Sequence, residues 1–212
     1  VDTIHSLKLE EYIIVGHSLG GHVVMQALDR LKPKGILLFG CPPLKKPLNF
    51  EDSFLPSEAL GVITKGDITD REAMIFSRSL YYNDDETLYI QTLSSVVSTD
   101  PLFRVKIGES LLSGDYLDES EILKNIECEI CFLAGEYDSI VNANYIKKLS
   151  IKNLFKDTVL EIEEAGHNIH QDNTLRFNKT LSDFSLHCFQ DTFEDVPFIL
   201  KGKIGNESQI GR

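Results

Sequence analysis

The sequence predicts an α/β fold: a mostly parallel sheet whose strands alternate with helices, interrupted by a helical insertion. Three observations carry this. Residues 11–40 read as strand, tight turn, helix, strand. Residues 126–190 resume the same alternation, and residues 44–125 between them carry helix signals and no strand signal. A chain of 212 residues is long enough to bury one sizeable core.

The opening residues, Val1 to Leu7, look like the end of an amphipathic helix. Because the text starts inside an element and not at a methionine, an N-terminal segment is expected to be missing. Glu11-Tyr-Ile-Ile-Val-Gly16 is a short apolar, β-branched run ending in glycine, the pattern of a buried strand. His22 to Leu31 then places Val23, Val24, Ala27, Leu28 and Leu31 at helical spacings of three and four, and Pro33 stops it. Gly35 to Gly40 is the second strand. Two strands joined through a helix imply a crossover and parallel pairing.

Pro42, Pro43, Pro47 and Pro56 crowd the exit from this unit, which reads as irregular. About four helices follow. Thr69-Asp-Arg-Glu72 has the form of a capping box and opens one that runs to about Tyr81. Residues 86–98 form the next. Asp100-Pro101 is a cap with proline at the first helical position, opening a helix that Gly114 ends. A short helix spans 119–125. This insert is expected to act as a lid over a site. Its Phe54, Leu60, Phe76, Leu80, Tyr81, Tyr82 and Phe103 could line an apolar pocket, but a role as the insert's own core explains most of them better.

The sheet resumes with Glu129–Gly135, a helix over Asn142–Leu149, a strand over Thr158–Ile162 and a closing helix over Thr174–Phe189. The domain reading is therefore sheet core over 1–43, cap over 44–125, sheet core over 126–190 and an unassigned tail over 191–212. The end of that tail, Gly202–Arg212, is expected to be mobile.

The net charge of −12 disfavours nucleic acid and anionic membranes as partners, since both need a basic face. No apolar run approaches the ~20 residues that span a bilayer. Cys128 and Cys131 form a lone C-x-x-C without further ligands nearby, so no metal is expected. They read as buried apolar residues pointing to opposite faces of a strand. With Cys41 and Cys188 they suit a reducing compartment, and the cytoplasm is the expected location.

Gly16-His17-Ser18-Leu19-Gly20 matches G-x-S-x-G, a pattern that a chain of this length shows by chance about once in fifteen tries. Its place between a strand and a helix makes it a nucleophile elbow. There the turn strains the backbone at Ser18, and side chains two residues either side would collide. A serine hydroxyl needs a base, and the base needs an orienting acid. His167 follows the last strand in Ala165-Gly166-His167 and can swing over the sheet edge. His170 is its rival. His5 lies on the wrong side, His17 and His22 flank Ser18 too closely, and His187 sits in the closing helix. Asp138, after Gly135-Glu136-Tyr137, is the expected acid, with Glu136 as the rival.

The elbow Gly-His-Ser-Leu-Gly-Gly, the acid after a strand and Ala-Gly-His, in the order Ser–Asp–His, resemble the α/β-hydrolase superfamily over about residues 1–190. Phe39-Gly-Cys-Pro-Pro43, Ser98-Thr-Asp-Pro101 and Ile151-Lys-Asn-Leu-Phe155 are similar to a bacterial branch that includes N-acyl homoserine lactonases. The resemblance implies the C-terminal half of that fold, strands five to eight, with a helical lid insertion. The first strand is then an open edge. It also implies an oxyanion hole with one donor at the Leu19 N–H and the second in the missing half, so that this fragment alone is expected to be weakly active or inactive. The expected chemistry is hydrolysis of a small-molecule ester or lactone through an acyl-enzyme on Ser18, with no cofactor. Carbon–carbon, amide or thioester hydrolysis can use the same three residues, and a non-catalytic small-molecule receptor is the rival from another class. Serine at the elbow argues against haloalkane or epoxide opening.

Overall fold

The computed structural model of the chain describes residues 1–190. The tail over 191–212, including the stretch expected to be mobile, lies outside the described residues. Helix α1 (Asp2–Leu7) buries none of its residues. The first strand, β1 (Ile13–His17), leads into α2 (Leu19–Ala27), a 3-10 turn over Leu28–Arg30 and β2 (Gly35–Phe39). After the insert come β3 (Glu129–Gly135), a short helix at Ala143–Ile146, β4 (Leu160–Ile162), another short helix at Ile169–Asp172 and the closing helix Thr174–Cys188.

The four strands form one sheet in the order β1-β2-β3-β4, every pair parallel. Ile14 pairs with Ile36, which pairs with Ile130. β2 is buried along its whole length, as expected of an inner parallel strand covered on both faces. Alternate residues feed two cores. Ile36, Leu38, Ile130 and Phe132 pack with Val24 and Met25 of α2. Leu37, Phe39, Cys131 and Leu133 pack with Phe177 and Phe184 of the closing helix. Cys128 and Cys131 pack toward opposite cores, as expected, but Cys128 precedes β3 and is only partly buried, whereas Cys131 is buried within it. All four cysteines are free thiols.

β1 is the edge strand, and Val15 is exposed on it. β4 is shorter than expected. It pairs only with Leu133–Gly135, while the first half of β3 is met by a bridge from Leu154 to Ile130. The helix expected over Asn142–Leu149 stops at Ile146, because Lys148 and Leu149 donate to carbonyls only three residues back and tighten the turn.

The insert leaves the sheet after β2 and returns at β3. It holds six helices, not four: Phe50–Ser53, Leu60–Thr64, Asp70–Ser79, Glu86–Ser98, Pro101–Ser113 and Glu119–Lys124. The two extra ones have four and five residues, too short for a periodic signal. The capping box at Thr69 and Glu72 is formed in both directions, Asp100 and Pro101 open their helix, and Gly114 ends it in the left-handed conformation. Arg104, buried inside the insert, donates to the carbonyls of Lys65, Val96 and Gly66. No described helix is long and apolar enough to cross a membrane.

Candidate active site

Ser18 stands between β1 and α2 with φ 50° and ψ −124°, a strained conformation for a residue with a side chain. Two neighbours hold it there. Its N–H donates to the carbonyl of Phe39 at 2.9 Å, and its own carbonyl accepts from Gly21 at 2.9 Å. The turn closes because Gly16 and Gly21 touch: a β-carbon on Gly16 would lie 2.8 Å from Gly21 Cα, and one on Gly21 would lie 2.2 Å from Cys41 Sγ. Gly20 does not share this constraint, since a β-carbon there meets open space. The steric reason expected for the last glycine of G-x-S-x-G belongs to the following one.

Asp138 and His167 come together. His167 Nδ1 lies 3.0 Å from Asp138 Oδ2, and both side chains are buried, at 4% and 5% exposed. The other carboxylate oxygen accepts from the backbone N–H groups of Ile140 and Val141, at 2.8 and 3.0 Å. Burial opposes ionisation of Asp138. The hydrogen bond and charge of His167 and the two backbone donors outweigh it and hold the carboxyl below its ordinary range. A carboxylate at Nδ1 leaves Nε2 of the ring to take a proton from a hydroxyl.

The imidazole lies against Gly40, the residue after β2, whose φ is +62°. Ser18, Leu19, Gly40 and His167 line one cavity of about 1060 Å³ that extends under the insert. The insert contributes Phe54, Leu60, Phe76, Leu80 and Phe103 to its walls, while Tyr81 and Tyr82 do not line it. Among the described residues no hydrogen bond reaches the Ser18 hydroxyl or the Leu19 N–H. Helix α2 starts at Leu19 and aims its first N–H groups at this end of the cavity.

The rival residues are elsewhere. Glu136 accepts from the Glu164 N–H on the surface. His5 meets the Arg30 carbonyl, and His187 meets Glu129. His170 packs edge-on to Phe39. His17 stacks on Phe39 with ring centroids 4.5 Å apart and donates from Nε2 to the His167 carbonyl at 3.2 Å. Burial, helped by repulsion from His167 and His170, pushes His17 down to about 3, so it stays neutral.

Three supporting residues escape sequence reading. Asp172 accepts from the N–H groups of Gly166, Tyr82 and Asn83, tying the loop before His167 to the insert. Gly40 makes room for the imidazole. Glu119 is fully buried where the insert returns to the sheet and accepts from His22, Gln26 and the Leu44 N–H. A helix-opening acid gives no hint of burial in the sequence. Among the described residues no group of three or more His, Cys, Asp or Glu could hold a metal ion.

No protein-family model matches the sequence, and no curated protein matches it. Solved structures do. A mutant of the N-acyl homoserine lactonase AidH complexed with N-hexanoyl homoserine lactone is 21% identical, with a TM-score of 0.83, covering 89% of this chain and 69% of that one. An esterase, EaEST, from Exiguobacterium antarcticum is 18% identical, with a TM-score of 0.65, covering 86% of this chain and 69% of that one. A bromoperoxidase from Bacillus anthracis is 18% identical, with a TM-score of 0.67, covering 86% and 70%. With the parallel sheet order and the strained serine turn, these likenesses show that the chain has the α/β-hydrolase fold, in a form that spans about 69% of the lactonase's length.

Proposed function

We propose that the protein hydrolyses a small-molecule carboxylic ester or lactone through an acyl-enzyme on Ser18. The observation that carries this reading is the buried His167–Asp138 pair at 3.0 Å, with His167 lining the same cavity as a serine held at φ 50°. His167 Nε2 takes the Ser18 proton as the hydroxyl oxygen attacks the carbonyl carbon. Asp138 fixes the ring tautomer and stabilises the imidazolium. The oxyanion is met by the Leu19 N–H at the start of α2. Collapse returns the proton to the leaving alkoxide and leaves the acyl group on Ser18. Water, deprotonated by His167, then releases the acid.

The lactonase and esterase neighbours support ester or lactone carbonyls as the substrate class. The residues over 44–125 serve as the cap over the acyl group. The test is turnover of an ester and lactone panel by the full-length protein, with and without Ser18→Ala. Multiple turnover abolished by the substitution is expected. Turnover that survives it overturns the mechanism, and labelling by a fluorophosphonate without any turnover favours a receptor.

A further inference from the structure

The cavity holds a second polar feature that the reaction does not use. His22 lies four residues after Ser18, in the first turn of α2, and both residues line the cavity. His22 Nδ1 meets Glu119 Oε2 at 2.8 Å. Glu119 is completely buried and accepts from three donors: His22, Gln26 Nε2 at 2.9 Å and the Leu44 N–H at 2.8 Å. A carboxylate carried into a core is costly unless it is fully satisfied. Here the satisfied carboxylate fixes the orientation of a histidine that lines the cavity.

The other ring nitrogen, Nε2, makes no hydrogen bond among the described residues, and His22, with 17% of its side chain exposed, lines the cavity. Leu19, Val23, Leu44 and Phe54 line the same cavity. Gln26 and Arg104, which also line the cavity, are engaged elsewhere: Gln26 Nε2 donates to Glu119 and the Leu117 carbonyl, and Nε, Nη1 and Nη2 of Arg104 each donate to a carbonyl of the insert. His22 Nε2 is therefore a polar point, fixed in place, on a largely apolar wall four residues along the chain from the nucleophile.

We infer that His22, held by Glu119, is a specificity-determining residue that receives a hydroxyl on the acyl chain of the substrate, a few carbons from the scissile carbonyl. A hydroxyl both gives and accepts a hydrogen bond, so it pairs with Nε2 whether that nitrogen carries a proton or a lone pair. A site built to bond a substrate hydroxyl discriminates strongly against the analogue that lacks it, because its own polar atom is then left dry and unpaired. The inference rests on the hydrolase reading for the position of the reacting carbonyl.

The test uses the full-length protein carrying Ser18→Ala, so that probes are not consumed. Calorimetry compares phenyl octanoate with phenyl hydroxyoctanoates whose hydroxyl is stepped along the chain. One hydroxyl position is expected to bind at least about tenfold more tightly than the plain ester. Adding His22→Asn should erase that preference. Its side-chain amide can keep the bond to Glu119 while nothing replaces Nε2. Ring-nitrogen NMR of His22 in the Ser18→Ala protein supplies a second readout: the preferred probe should shift Nε2 and the plain ester should not. Equal binding of all probes, binding of none, a preference that survives His22→Asn, or an unmoved Nε2 signal overturns the inference. If the double variant does not fold, the NMR readout decides. A hydroxyl preference in a protein that turns over no ester would keep this site and sink the hydrolase reading, whereas ester turnover without a preference would do the reverse.

Discussion

The imidazole of His167 rests directly on the backbone of Gly40: a β-carbon at residue 40 would lie 2.8 Å from Cε1 and 3.1 Å from Nε2. Gly40 also has φ +62°, which disfavours any side chain there. One backbone position thus sets how closely the histidine approaches the sheet edge that carries Ser18. Gly40→Ala is expected to push the ring outward and cost on the order of 100-fold in kcat on a model ester, the scale of a ~1 Å misplacement. Fluorophosphonate labelling should slow by a similar factor, while far-ultraviolet circular dichroism stays native. An unchanged kcat would show that His167 does not act from this position.

Asp138 combines burial with three donors, and its role divides into orientation and charge. Asp138→Asn keeps the volume but offers an N–H where the ring also has one. The expected loss in kcat is about 10⁴-fold, with KM little changed. The linked stability effect has a definite sign. The folded carboxyl sits below the ordinary aspartate value of about 3.9. Its contribution is therefore present above that value and lost as pH falls through the lower folded value. Urea unfolding between pH 5 and 3 should be steeper in pH for the native protein than for Asp138→Asn.

These two positions mark how far the sequence could be read. Asp138 and His167 were legible because each follows a strand at one sheet edge, and period-two and period-3.6 patterns place those edges well. Gly40 was visible only as the end of an apolar run, since its need for a bare backbone arises from a ring 127 residues away in the chain. The short helices at 50–53 and 60–64 carry too few turns to show a period. Nothing local marks Glu119 for burial, because its partners, His22 and Gln26 on α2 and the Leu44 N–H, come from two segments distant from it in the chain. Local pattern reports which face is apolar. It does not report which polar groups meet across the fold.

His17 gives a second pH signature, at a different window. Held neutral down to about 3 when folded, it titrates near 6.5 in the unfolded chain. The unfolded state therefore binds the extra proton first, and stability falls as pH drops from 6.5 toward 3, by up to about 1.4 kcal/mol per unit. His17→Gln should flatten this dependence in denaturant titrations at pH 7, 5 and 4. The native protein's His17 ring resonances should show no titration above pH 4. A midpoint near 6.5 for His17 in the folded protein would contradict the stacked, buried placement on Phe39.

Asp172 is the tie between the histidine loop and the insert. Its Oδ2 accepts from Gly166 at 2.9 Å and from Tyr82 at 3.0 Å, and its Oδ1 accepts from Asn83 at 3.2 Å. Gly166 immediately precedes His167, and Asn168 is bound in turn to the Leu80 carbonyl at 2.9 Å. Removing the carboxylate leaves three backbone donors to find water and frees the loop on one side only. Asp172→Ala is expected to lower kcat by about 10- to 100-fold while the His167–Asp138 bond persists, because Asp138 is anchored separately by Ile140 and Val141. Asp172→Asn retains one acceptor oxygen and should recover part of the loss. The discriminating readout is amide hydrogen exchange. Faster exchange at Gly166, Tyr82 and Asn83, with Ile140 and Val141 unchanged, marks a local tether. A uniform rise across the sheet would mean that Asp172 supports global stability and does not specifically position His167.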